Sequence, residues 1–326
     1  MSGYQYYEFV AIDEPLTATQ MAELRARSSR AVITPTSFVN EYHWGDLKGD
    51  PTDWMRRYFD AHIYVANWFS CWLLLRVPYD VFNVKTLNAF ETPSSFTVER
   101  AGRHWILGWE LTEGQDYDRF GAEDGRGWMG RLAALRDELL RGDLRPLYLG
   151  WLAGVSAGEI EDAAVEPSPP PGLSRLTAAQ RSLVEFLEID GDLLAAAACG
   201  DQPQSDGDIE SETAMDAWIA GLPDNDGRMA VKQLLMGRAQ HAERQLKSRF
   251  LAWQREQGPD IDINPTQRTV AVLRELTKSA AETRNQQEAV QRKQAEAKRL
   301  AARESYLRTL ADDFDRCWKA ADERAG

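Results

Sequence analysis

Cysteine is scarce in this chain. Cys71, Cys199 and Cys317 are the only three among 326 residues, and more than a hundred positions separate each from the next. An odd number at such spacing makes neither a disulfide framework nor a CxxC metal site, and it fits a reducing compartment. Long apolar runs are missing too: Cys71 to Val77 falls far short of the roughly eighteen residues that a membrane-spanning helix needs. The opening MSGYQYYEFV lacks the basic-then-apolar layout of a secretory signal. These absences lead to the expectation of a cytoplasmic protein with no membrane partner. No P-loop, GxGxxG, HExxH or EF-hand pattern occurs, so nothing calls for a cofactor or a bound metal.

Positive charge is absent from one long stretch. Ser182 to Gly227 holds twelve Asp or Glu and no Lys or Arg, almost the whole of the net charge of −13. Arg228 to Glu256 then reverses sign, with seven Lys or Arg against two Glu. Such blocks either pair with each other in the fold or leave a basic face for a partner. The acidic balance disfavours nucleic acid, whose phosphates the nearby carboxylates would repel.

A hydrophobic content of 43% and a charged content of 27% are those of a globular protein, long enough for two domains of ordinary size. Eight of eleven Trp and three of four His lie in the first 151 residues, where strand-like and helix-like segments alternate. Tyr4 to Ile12 is β-rich, and Thr17 with Gln20 forms a capping box. Ala31 to Trp44 returns to β character. Asp50-Pro51-Thr52-Asp53 starts a helix whose apolar stripe would run through Met55, Tyr58, Phe59, His62, Val65, Ala66 and Phe69. Phe96–Arg100 and His104–Leu111 form a hairpin. The expected class is α+β: an N-terminal mixed α/β sandwich, with a ferredoxin-like topology as one option, then an all-α C-terminal half ending in a long helix. The boundaries follow composition: an α+β domain at 1–165, a Pro-rich linker at 166–174, an acidic and basic helical region at 175–263, and a long helix or helical hairpin at 264–326. Within that third region a loop is expected at 200–210, and Gly258-Pro259 ends a helix. Asn264 to Gln267 would cap the last helix, which at full length reaches ~85 Å. Its Leu300, Leu307, Leu310, Phe314 and Cys317 are spaced by seven, three, four and three, as in a heptad repeat.

The densest polar cluster is Asn40 to Asp50. Glu41 and His43 on one strand face, with Asp46 in the turn that follows, offer a carboxylate–imidazole pair for general-base or metal-assisted hydrolysis. His104 would join them if it approached His43 across the sheet. The competing reading packs Tyr42 and Trp44 inward and leaves Glu41 and His43 in water. His62, on the apolar stripe, reads as a hydrogen-bonded core histidine. Gly154-Val155-Ser156-Ala157-Gly158 matches the GxSxG nucleophile elbow, but Leu147–Ala153 before it looks helical and His241 is the sole histidine after it.

Tyr4–Phe9 together with Ile33–Asp50 resembles the opening of a family of bacterial proteins without an assigned activity. The resemblance covers mainly the first eighty residues. It implies a bacterial cytosolic protein and transfers no catalytic residue or cofactor.

No complete catalytic constellation emerges from these motifs. The leading expectation is therefore a protein-interaction or self-associating module that uses the charge-segregated helical half and the terminal helix. The rival is a hydrolase or nuclease centred on Glu41, His43, Asp46 and His104. Nucleic-acid binding through Arg228–Arg255 ranks behind both.

Overall fold

The computed structural model describes residues 3–112, 114, 125–199, 212–237, 239–257 and 268–325. Contacts divide the chain into two units, Met1–Arg274 and Glu275–Gly326. The expected loop at 200–210, the Gly258-Pro259 break and the cap at 264–267 lie outside the described residues.

The first unit opens with β1 (Gln5–Val10), α1 (Ala18–Arg27), β2 (Val32–Thr34), β3 (Ser37–Tyr42), α2 (Pro51–Arg57), β4 (Ala61–Ala66), β5 (Cys71–Pro78), α3 (Val84–Phe90), β6 (Phe96–Ala101) and β7 (His104–Leu111). The strands form one seven-stranded sheet in the order β2-β3-β1-β4-β5-β7-β6. The class is α+β as expected. Every neighbouring pair is antiparallel, so the split βαβ unit of a ferredoxin-like sheet does not occur among the described residues.

Local chemistry starts the helices. Thr17 and Thr177 each form a reciprocal capping box with the Gln three positions on. Asp50 accepts the Thr52 amide at 2.8 Å ahead of Pro51. The helix begun there is shorter than its apolar stripe suggests. It ends at Arg57, and Ala61–Ala66 is a central strand whose side chains are buried on both faces apart from a half-buried Tyr64. A strand apolar on both faces imitates a helical stripe over a few residues, which is why the pattern misleads. The Arg76 guanidinium also takes the Met55 carbonyl at 3.1 Å, satisfying an acceptor at the end of α2.

Alternation along the strands sorts the core. One face packs Phe9, Phe38, Leu74 and Ile106 against Leu24 of α1 and Trp54, Met55 and Phe59 from α2 and the turn after it. The other face buries Ile63, Val65, Leu73, Leu107 and Trp109. It is covered by α3 together with α4 (Trp128–Leu132), α5 (Ala134–Leu140) and α6 (Arg145–Ser156). Gly150 of α6 lies so near β6 that a Cβ there would meet the Phe96 ring at 2.8 Å. Trp109 donates its indole N–H to the Pro146 carbonyl at 2.9 Å.

The helical part continues with α7 (Ala178–Phe186), α8 (Gly191–Ala197), α9 (Glu212–Ala220), α10 (Asp224–Leu235), α11 (Ala239–Gln257) and α12 (Val270–Ala325). The Pro-rich segment expected to be a linker at 166–174 is packed inside the first unit. Glu166 is fully buried, its N–H donates to the Arg268 carbonyl at 2.9 Å, and Val165 bridges Thr269. The Glu166 carboxylate accepts the Tyr148 hydroxyl and the Arg268 guanidinium, and Arg268 also donates to the Ala196 and Ala197 carbonyls that end α8. The contacts thus part the chain at Arg274/Glu275 and not at the prolines.

In the second unit α12 runs on to Ala325 as one continuous helix, so the helical-hairpin option is set aside. Pairs such as Arg284–Glu288 at 2.9 Å and Arg316–Asp313 at 2.8 Å lie along its surface.

Candidate functional site

The polar cluster after β3 is built around Gln5, a buried amide at the start of β1. Its carbonyl oxygen accepts the hydroxyls of Tyr7 at 2.8 Å and Tyr64 at 3.1 Å. Its Nε2 donates to the Gly45 carbonyl at 3.1 Å and to Asp46 Oδ1 at 2.8 Å. Asp46 is thus fixed by a residue forty-one positions away, in a turn where Gly45 takes φ of +80°. Burial and then the Asp46 charge push the Tyr64 phenol up to about 12, and burial raises Tyr7 as well. Both remain neutral donors near neutrality and hold the loop in place.

Glu41 points to the other face of the sheet, where it accepts the Arg126 Nε at 2.8 Å. His43 is exposed beyond the end of β3, its ring 5.3 Å from that of Tyr4. Trp44 is 76% exposed, so the expected inward packing of Trp44 does not occur, while Tyr42 does pack edge-on against Tyr7 at 5.7 Å. Among the described residues no hydrogen bond joins Glu41, His43 and Asp46 to one another. They share a neighbourhood without sharing a task.

His104 lies at the far corner of the sheet. The registers Gln5↔Ala66, Val65↔Cys71 and Cys71↔Leu111 put the 43–46 loop level with Leu111, while His104 pairs with Pro78 at the opposite end of β7. Seven residues along β7 and four strand spacings across separate it from His43 by on the order of 30 Å. The approach of His104 to His43 expected from the sequence is therefore corrected by the strand order.

Around His104 sits a charge network with no local signature in the sequence. Asp60 is 1% exposed at its side chain and accepts the amides of Ile12 at 2.6 Å and Asp13 at 2.8 Å, along with Arg76 Nε at 3.0 Å. Arg136 donates to the Arg76 carbonyl and to Asp13, each at 2.7 Å. His104 is lowered by burial first and by the Arg76 cation second. One signal was available: Arg76 interrupts an otherwise apolar strand, and a buried arginine requires an acid. The network's lone pairs and protons are spent on backbone and on each other, which suits it to holding strands and helices together.

His62 is a core residue. Its Nδ1 lies 3.0 Å from the Glu8 carbonyl, which can only accept, so Nδ1 carries the proton. Nε2 has no partner, and the ring stacks on Phe9 at 3.9 Å. Burial lowers its pKa to about 3. Ser156 ends α6 at the surface, following a helix where a nucleophile elbow needs a strand. Among the described residues no group of three His, Cys, Asp or Glu is arranged to hold a metal, and no helix is long and apolar enough to cross a membrane.

The charge blocks are partly paired: Arg249 meets Asp226 at 2.5 Å, Arg228 meets Asp224 at 3.8 Å, and Lys247 reaches Asp137 of α5 at 3.0 Å. Large apolar side chains instead stand in water. In the first unit these include Met229, Leu234 and Leu235 of α10, the last 84% exposed. In the second unit Leu300, Leu307, Leu310, Phe314 and Trp318 are all exposed along α12.

No family model, curated protein or solved structure matches the chain.

Proposed function

We propose that the protein is a cytoplasmic assembly module whose distal α12 residues, 300–318, dock another helix. The observation that carries this reading is the row of Leu300, Leu307, Leu310 and Phe314, each about half exposed or more, at heptad-like spacing on a helix that buries none of them. Exposed apolar side chains in a continuous stripe mark an interaction surface, and alternating steps of three and four are those of a helix–helix seam. Among the described residues, Asp60, Arg76, Arg136, Glu166 and Arg268 of the sheet body are engaged in ion pairs and backbone hydrogen bonds, and no hydrogen bond joins Glu41, His43 and Asp46 to one another. The reading needs no metal, cofactor or nucleic acid.

A photo-crosslinking amino acid at position 307, with position 308 as control, tests it in cells. The expected result is a discrete covalent adduct from 307 and none from 308, with the adduct identified by peptide mass. No adduct from 307 would remove the reading.

A further inference from the structure

We infer that the occupant of the α12 seam is a second copy of this chain, aligned parallel and in register, forming a short two-stranded coiled coil over residues 300–321. This rests on the assembly reading above and adds the partner and its orientation.

With Leu300, Leu307 and Phe314 at heptad position a, Leu310 and Cys317 take position d, and Arg303 is the one charged residue between Leu300 and Cys317 at an a or d position. In a parallel pair each of these faces its own copy, so Leu meets Leu in three layers and Phe meets Phe in a fourth. A d-position side chain enters a hole lined partly by the partner's adjacent e residue, and a g residue faces the partner's next e residue. Arg303 at d and Arg299 at g both then meet Glu304 at e of the second copy. One carboxylate therefore sits between two guanidiniums on each side of the seam, which offsets the cost of placing Arg303 at d.

The reversed alignment lacks this complementarity. Pairing Leu307 with Leu310 antiparallel sets Arg303 against Phe314 and Glu304 against Ala311, leaving the carboxylate without a cation. Upstream the seam stops, because Lys293 and Glu296 fill the preceding a and d positions. The coiled coil is therefore confined to three heptads, a length that gives reversible association.

Cys317, exposed and at d, reports on this directly, because the two d residues of one layer face each other within the span of a disulfide. The full chain carrying Cys199→Ser keeps Cys317 as its exposed thiol, with Cys71 buried. Diamide oxidation is expected to yield a covalent dimer that Cys317→Ser abolishes. Adding Leu300→Cys is expected to give 300–300 and 317–317 links. Links joining 300 to 317 would overturn the parallel alignment.

Light scattering on the unmodified chain should show a mass rising with concentration towards twice 36.8 kDa. Glu304→Arg should weaken association at least tenfold, and mixing it with Arg299→Glu/Arg303→Glu should restore it. A monomer at every concentration with no 317–317 link overturns the inference. If position 307 still crosslinks to a different protein, the assembly reading survives that failure; if it crosslinks to nothing, both fall.

Discussion

Leu74 and Leu310 are the same residue in two opposite situations. Leu74 lies on β5 between the registers of His62 and Gly108, 2% exposed and packed with Phe9 and Ile106. Leu310 sits on α12 at 47% exposure. In the first unit even charge has been drawn into the interior and matched: Asp60 with Arg76 and two amides, Glu166 with Tyr148 and Arg268. In the second unit apolar side chains remain in water while neighbouring charges pair along the helix surface. The sheet body is specified by contacts between residues far apart in sequence. Residues 275–325 are specified by helix propensity and pairs three or four positions apart, which set a conformation and leave the choice of contact to a partner.

The strongest way to break the contrast is to remove a matched buried charge. Asp60→Ala leaves Arg76 without its carboxylate and the Ile12 and Asp13 amides without an acceptor, so urea denaturation should show a loss of about 3–5 kcal/mol. Removing Glu99 from its half-exposed pair with Arg56 should cost no more than about 1 kcal/mol. A loss at Asp60 as small as that at Glu99 would mean that the network does not hold the sheet.

The second effect depends on pH. His62 is neutral in the folded protein down to about 3, whereas the unfolded histidine takes a proton near 6.5. Between those values the unfolded state binds the extra proton, so stability falls as pH falls, by about 1.4 kcal/mol per unit. At pH 5 the contribution lost is roughly 2 kcal/mol. Subtracting the stability–pH curve of His62→Leu from that of the parent should give a line flat above 6.5 and sloping below it. A difference that stays flat to pH 4 would place a charge or a water beside Nε2.

What could be read from the sequence follows the same divide. Thr17, Asp50 and Thr177 announced their helices because a cap is decided within four residues. The β6–β7 hairpin and the long last helix were legible for the same local reason. Residues 61–66 were not, because a strand buried on both faces has no alternation to show. Glu41, His43 and Asp46 are neighbours in space as in sequence, yet what each one touches comes from Arg126, Tyr4 and Gln5. His104 was misplaced because its distance from His43 depends on the strand order, which no stretch of sequence states. The cluster of Asp13, Asp60, Arg76 and Arg136 was missed because its members are spread over 124 residues of chain, and only the arginine inside an apolar strand hinted at it.

A smaller effect is expected at Tyr148→Phe. The change removes the hydroxyl that donates to Glu166 and also bonds Arg268, and it leaves both Arg268–Glu166 bonds and the aromatic packing against Phe90 and Trp151. Thermal or urea unfolding should report about 1.5–2 kcal/mol, the value of a hydrogen bond to a charged group. A larger loss would show that the hydroxyl also orients Arg268 onto the end of α8.

The smallest effect is the one that sharpens the comparison most. Leu74→Ala opens a cavity in a closed core and should cost about 2–5 kcal/mol. Leu310→Ala removes the same atoms from a side chain that already meets water, so the unfolding of the sheet body should shift by less than about 0.5 kcal/mol. Ten of the eleven tryptophans lie before Glu275, which makes tryptophan fluorescence a reading of that body. Self-association measured on the same Leu310→Ala sample should weaken. An exposed leucine that is neutral for its own fold and costly for assembly is one kept for a surface outside the monomer. A Leu310→Ala protein destabilised as much as Leu74→Ala would instead place that side chain within the chain's own core.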